Sequence, residues 1–267
     1  MMNNMTDTVK QLLIINVLFF IGSYFVPQAN ELLSLHYFES DGFKFWQPIS
    51  HIFMHGSPMH IFFNMFALVS FGSALEHFWG AKKFLFFYFS CGIGAAFIHS
   101  GVNYYEIHSL LNDLQNTTIS KTDIHTILNT EFNNGNQYLG KLLYENAASV
   151  FDKIKVNESD FELLFNAAIK NQSSAVGASG AIYGLLVAFA FMFPNAELAL
   201  MFIPVPIKAK YFVPVIVLLD LFSGVTGYSI FGAGNIAHFA HVGGALFGFI
   251  MMWYWKKNQF DKNRWDR

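Results

Sequence analysis

The stretch VGASGAIYGLLVAFAFMFP, residues 176–194, carries no Asp, Glu, Lys or Arg and sets a serine, Ser179, among glycines where its apolar run begins. A run of this length matches the ~20 apolar residues that a helix needs to cross a hydrocarbon core of about 30 Å. Five other stretches read the same way, so spans are expected at about 9–27, 50–74, 83–101, 176–194, 197–224 and 235–255. The composition of the 267 residues agrees, with 54% hydrophobic and only 13% charged, against about 25% charged in an ordinary soluble domain. It argues against a soluble enzyme. The net charge of -2 leaves no nucleic-acid footprint. Cys91, the single cysteine, excludes an intrachain disulfide.

Between the third and fourth spans the character changes. Residues 101–172 hold 9 of the 18 Asp and Glu and 5 of the 16 Lys and Arg. They also show helix-period apolar positions at Tyr138, Leu142, Leu143, Val150, Phe151 and Ile154. The expected fold is therefore an all-α membrane protein, a six-transmembrane helical bundle with a helical extracytoplasmic insertion between helices 3 and 4. The expected boundaries are 1–100 for helices 1–3, 101–172 for the insertion, 173–255 for helices 4–6 and 256–267 for a cytoplasmic basic tail. The first span lacks the basic flank and cleavage site of a signal peptide and is read as a retained helix. Lys82, Lys83, Lys208, Lys210, Lys256, Lys257, Lys262, Arg264 and Arg267 fall on one side of such a bundle. The positive-inside rule then puts both termini in the cytoplasm. Three Asn-x-Ser/Thr triplets, at Asn116, Asn157 and Asn171, carry little weight in so Asn-rich a segment.

Three clusters carry chemistry. Gly177-Ala178-Ser179-Gly180 opens span four, with Gly180 and Gly184 spaced for close helix packing. It is not the hydrolase elbow GxSxG, since Ala181 stands two beyond Ser179. Ala240-His241-Val242-Gly243-Gly244 opens span six, where Gly244 and Gly248 offer span four a matching small face. In span two His60 and Asn64 are i and i+4 and share a helix face; both can donate hydrogen bonds to a developing oxyanion. His51 and His55 read as interfacial or structural. At 1.5 Å per residue, Ser179 and His241 each stand about 21 Å from the Phe193 and Trp255 ends of their spans, while His60 and Asn64 bracket that level at roughly 24 and 18 Å. A serine needs a neighbouring base, and an imidazole can supply it. No acidic residue lies at this depth on spans two, four or six, so the expectation is a Ser179–His241 dyad oriented by packing, with Tyr183 stacked on His241. Asp220 in span five is given a hydrogen-bonding role near the outer interface.

Together these elements resemble the rhomboid family of intramembrane serine proteases, whose GxSG, HxxxN and AHxGG motifs stand here at Gly177–Gly180, His60–Asn64 and Ala240–Gly244. The similarity covers the six spans and not the insertion. It implies Ser179 as nucleophile, His241 as general base, and His60, Asn64 and the Ser179 amide as oxyanion hole, with Tyr183, Gly177, Gly180 and Gly244 in support. The resemblance further implies a serine endopeptidase that uses no cofactor or metal and cuts transmembrane segments of other membrane proteins within the lipid bilayer. The family's first-loop Trp-Arg pair is absent; Phe45-Trp46 is the nearest feature and has no Arg. Residues 101–172 are expected to cap the site or recruit substrates. The setting expected from this reading is a bacterial inner membrane. Two rivals are a non-catalytic rhomboid-like client binder, and a histidine-box metal enzyme built on His51, His55, His60, His238 and His241. The zinc-protease motif HExxH is absent.

Overall fold

The computed structural model describes residues 5–26, 28–115, 119–135, 137–200, 203–228 and 237–258. The triplet at Asn116 and the tail residues Lys262, Arg264 and Arg267 lie outside them. The chain forms two compact units, one of residues 1–34, 48–99 and 176–267, the other of residues 35–47 and 100–175.

The first unit is mostly helical. Its elements are α1 (Asp7–Phe25), α2 (Gln28–Leu33), α3 (Gln47–Ser50, shared with the second unit), α4 (Pro58–Ala67), α5 (Ser73–Trp79) and the first part of α6 (Ala81–Asn112). Four helices among the described residues are long and apolar enough to cross a membrane: α1, the stretch Pro58–Trp79 formed by α4, a π turn and α5, then α6, and the helix Ala209–Thr226. The second of these starts later than expected because Ser57 caps it, accepting from the His60 amide at 3.2 Å, with Pro58 at its first position. Glu76 secures the start of α1: the Thr8 and Val9 amides donate to its carboxylate at 3.2 and 3.1 Å, and the Thr6 hydroxyl joins them. These N–H groups are among those a helix leaves unpaired.

The expected fifth span, 197–224, does not begin as a helix. Glu197–Leu200 and Ile203–Lys208 form an antiparallel hairpin. Pro204 and Pro206 remove backbone donors that a helix interior requires, whereas a two-stranded ribbon, all edge, accepts prolines. The helix runs only from Ala209 to Thr226. The expected fourth span is likewise shorter than 176–194: the helix Ser179–Met192 has 14 residues, about 21 Å at the standard rise. Gly177, at φ +124°, turns the chain into it.

In chain order the insertion helices Lys121–Asn129, Gly140–Asn146, Ala148–Ile154 and Glu158–Gln172 are α7 to α10; Ser179–Met192 is α11, Ala209–Thr226 α12 and His238–Asn258 α13. α11 is the axis of the first unit, buried at Gly180, Ala181, Ile182, Gly184, Leu185, Leu186, Val187 and Ala188. Its principal partner is α13, and the two meet backbone to backbone. A Cβ on Gly244 would fall on the Gly180 carbonyl, and one on Gly248 would lie 2.7 Å from the Gly184 Cα. In lipid, where burial gives little drive for helix association, such close contact supplies it.

The second unit has its own core, with Tyr37, Ile107, Ile127, Phe132, Leu143, Phe151 and Leu164 buried and Tyr138, Leu142 and Val150 packed against it. First-loop residues belong to it: Leu35 pairs with Ala175 through two 2.9 Å backbone bonds, and the Asp41 amide donates to Asn129. Two of the Asn-x-Ser/Thr asparagines have structural work. Asn157 caps α10, and Asn171 is buried with its amide on the Leu128 carbonyl at 3.0 Å. The Lys153 ammonium donates to both Asp123 oxygens at 2.9 Å.

Gly244→Ala should force α11 and α13 apart and cost about 1–3 kcal/mol. Its thermal unfolding in detergent should come lower than that of the parent. Gly101→Ala, in helix with open space around it, should show no such loss. In the second unit the Ser120 hydroxyl, and then the Lys153 ammonium, hold the Asp123 carboxyl below its ordinary range. The stabilisation is therefore complete above the ordinary carboxylate value, about 3.9, and disappears as pH falls through the lowered value. Hydrogen exchange of α7 and α9 should accelerate on acidification by a component that Asp123→Asn removes.

Candidate active site

Ser179 is the first residue of α11, immediately after the turn made at Gly177. His241 lies one turn into α13, and the glycine contact sets the two helix starts beside each other. The result is a hydrogen bond of 2.8 Å between Ser179 Oγ and His241 Nε2. Tyr183, one turn along α11 from Ser179, stacks on the His241 ring with centroids 4.4 Å apart and planes 12° from parallel.

The other ring nitrogen has a partner the sequence reading did not give it. His241 Nδ1 lies 3.2 Å from Asp220 Oδ1. Asp220 is buried on α12, and the Tyr183 hydroxyl donates to its Oδ2 while His238 Nδ1 sits 2.5 Å from Oδ1. A carboxylate can only accept, so both imidazoles present Nδ1–H to it. In the neutral ring His241 Nε2 is then the bare nitrogen, and the Ser179 hydroxyl donates to it. The expectation that packing alone orients His241 is thus corrected: a carboxylate fixes the tautomer, while Tyr183 stacks on the ring and holds Asp220 in place. The signal was available. Asp220 stands 12 residues beyond Lys208, about 18 Å at the helical rise, a level close to that of Ser179 and His241. The hydrogen-bonding role expected of Asp220 is therefore played toward His241, His238 and Tyr183.

His60 and Asn64 approach from α4. The Gly56 amide donates to His60 Nδ1 at 3.4 Å, which leaves Nε2 as the protonated nitrogen of the neutral ring. That nitrogen faces Gly177, where an added Cβ would come within 2.7 Å of it. The same Cβ would lie 3.6 Å from Asn64 Nδ2, a buried donor without a hydrogen-bond partner. Buried donors are rarely left unpaired, and this one faces the turn two residues before Ser179. His55 packs edge-on against His60 with centroids 5.1 Å apart, and the His51 carbonyl accepts from the Gly177 amide at 2.9 Å. Among the described residues the donor group compact enough to hold a metal is Asp220, His238 and His241. His51, His55 and His60 do not join it, so the five-imidazole box does not assemble. Phe45 and Trp46 belong to the second unit, where they pack edge to face.

A comparison with family models matches the rhomboid domain over residues 42–109 and 159–258. The chain is 25% identical over 222 residues to an uncharacterized mitochondrial rhomboid protein of Schizosaccharomyces pombe, covering 80% of this chain and 52% of that one. It is 24% identical over 265 residues to the human mitochondrial presenilin-associated rhomboid-like protein, covering 94% and 49%. A third relative, the mitochondrial rhomboid protein 1 of Saccharomyces cerevisiae, is 34% identical over 83 residues, covering 31% and 22%. The chain spans about half the length of the first two of these relatives, 52% and 49%. All three are mitochondrial proteins, which overturns the expected bacterial inner membrane and with it the cytoplasmic assignment of the termini. Residence in a membrane stands.

Asp220→Asn should weaken the hydrogen bond at His241 Nδ1, because a neutral amide is a poorer acceptor than a carboxylate. The far-downfield proton resonance of that ring N–H should shift upfield in the variant.

Proposed function

The chain belongs to the rhomboid family, and on that premise we propose that it is an intramembrane serine endopeptidase cutting transmembrane segments of other membrane proteins. The observation that carries the reading is the Ser179 hydroxyl at 2.8 Å from a bare imidazole nitrogen, with an unpartnered Asn64 donor beside the same turn. On this reading six helices cross the bilayer, α11 and α13 joining the four long ones.

Ser179 Oγ attacks the scissile carbonyl while His241 Nε2 takes its proton. The imidazolium so formed is held by Asp220, whose carboxylate already accepts from Nδ1. Negative charge on the carbonyl oxygen is received by Asn64 Nδ2, His60 Nε2 and the Ser179 amide, which as the first amide of α11 has no partner within its helix. His241 then protonates the leaving amine and activates a water that releases the acyl group. Gly177 belongs to the machinery by having no side chain, because any Cβ there would displace His60. A peptide bond must leave helical geometry to reach Ser179, so segments that unwind easily, with small residues at the cut, are the matching substrates.

A fluorophosphonate should label Ser179, and Ser179→Ala should abolish both the label and cleavage of a membrane-anchored reporter. Asn64→Ala should lower kcat by about 10²–10³-fold while changing KM little. Undiminished cleavage by Ser179→Ala would sink the serine mechanism.

A further inference from the structure

The carboxylate that orients His241 has a second imidazole on it, and the proposed reaction gives that imidazole no task. His238 and His241 of α13 and Asp220 of α12 each offer a donor atom, and these atoms all lie within 4.8 Å of one another; both Nδ1 atoms face Asp220 Oδ1. Asp220 is 5% and His238 9% exposed. Two imidazoles and one carboxylate form a donor set suited to a borderline divalent ion such as Zn²⁺ rather than to Ca²⁺ or Mg²⁺, which seek oxygen alone. We infer that Asp220, His238 and His241 form an inhibitory zinc site, and that its occupancy switches off the proposed Ser179–His241 pair; the inhibitory part rests on the protease reading, the binding part does not.

The chemistry follows from where two protons sit. In the metal-free protein each Nδ1 carries a hydrogen directed at Asp220 Oδ1. An ion bound at about 2.0–2.2 Å from the three donors takes the place of both hydrogens. Each displaced proton moves to the Nε2 of its own ring, so both imidazoles stay neutral and no proton is lost overall. His241 Nε2 is then protonated and can no longer accept from Ser179. Seating the ion requires Asp220 to draw back, since donors now 2.5 and 3.2 Å apart stand about 3.3–3.5 Å apart around a tetrahedral ion with bonds of about 2.0–2.2 Å. The Tyr183 hydroxyl on the other Asp220 oxygen supplies the outer support typical of a metal-bound carboxylate, and water completes the fourth position.

The test uses the purified full chain in detergent. Co²⁺, as a spectroscopic stand-in, should give tetrahedral ligand-field absorption that Zn²⁺ abolishes at one equivalent, in the parent and in Ser179→Ala alike. His238→Gln should raise the Zn²⁺ dissociation constant about tenfold or more, while His125→Gln, in the second unit, should leave it alone. In the unaltered chain, free Zn²⁺ at about ten times its Kd should slow fluorophosphonate labelling of Ser179 about tenfold, and a chelator should restore it. Absent binding, or equal affinity in His238→Gln, overturns the site. Binding lost in His238→Gln, in a chain whose metal-free form neither labels nor cleaves, supports the site and counts against the protease. Labelling unaffected by saturating Zn²⁺ overturns the inhibition.

Discussion

The absence of side chains between α11 and α13 is the constraint on which the rest of the molecule depends. Gly180 and Gly184 face Gly244 and Gly248 so closely that a single added carbon at Gly244 would meet the neighbouring carbonyl. Because both helices begin near this contact, a hydroxyl at the start of one and an imidazole one turn into the other come within hydrogen-bonding distance without a long side chain or a flexible loop. The geometry is carried by backbone, the stiffest part of a helix. Leucines at the same seam would hold the two axes farther apart and leave the Ser179 hydroxyl short of the His241 ring.

Asp220 makes a second kind of economy. A carboxylate away from water is costly unless its oxygens are occupied, and here three donors from α11 and α13 converge on it. The same contacts that satisfy the charge fix which nitrogen of His241 is bare. Electrostatic satisfaction and chemical readiness are one arrangement, and each of its members is tied to the others. Tyr183 belongs to both halves of it, ring on imidazole and hydroxyl on carboxylate.

Much of this was legible in the chain because membrane helices obey simple arithmetic. Apolar run length gave membrane helices, small-residue spacing gave the α11–α13 seam, and rise per residue put Ser179, His241, His60 and Asn64 in one layer. The same arithmetic applied to α12 puts Asp220 near the level of His241, the carboxylate partner that spans two, four and six lack. Other features have no such shorthand. The hairpin before α12 lies in a stretch as apolar as a span, and only the alternating prolines, Pro204 and Pro206, set it apart. That Leu35–Gln47 would join the core of the insertion depends on Tyr37 and on pairing between Leu35 and Ala175, contacts between residues far apart in sequence. The tautomer of His60 hangs on one backbone amide, at Gly56, which no pattern of side chains announces.

At the end of α11 remote from Ser179, aromatic rings replace the glycines. Trp79 of α5 and Trp255 of α13 meet edge to face at 5.4 Å, and both rings contact Phe87 of α6. The Lys83 ammonium lies 4.2 Å from the Trp255 ring centroid, a cation–π contact. Phe193, next to the last turn of α11, meets Phe78 at 5.3 Å. Glu76 fastens the start of α1 to α5 in the same neighbourhood. The helices of the first unit are thus clasped at both ends, by indoles here and by the glycine seam and the Asp220 contacts at the other, in the manner of a splint bound twice.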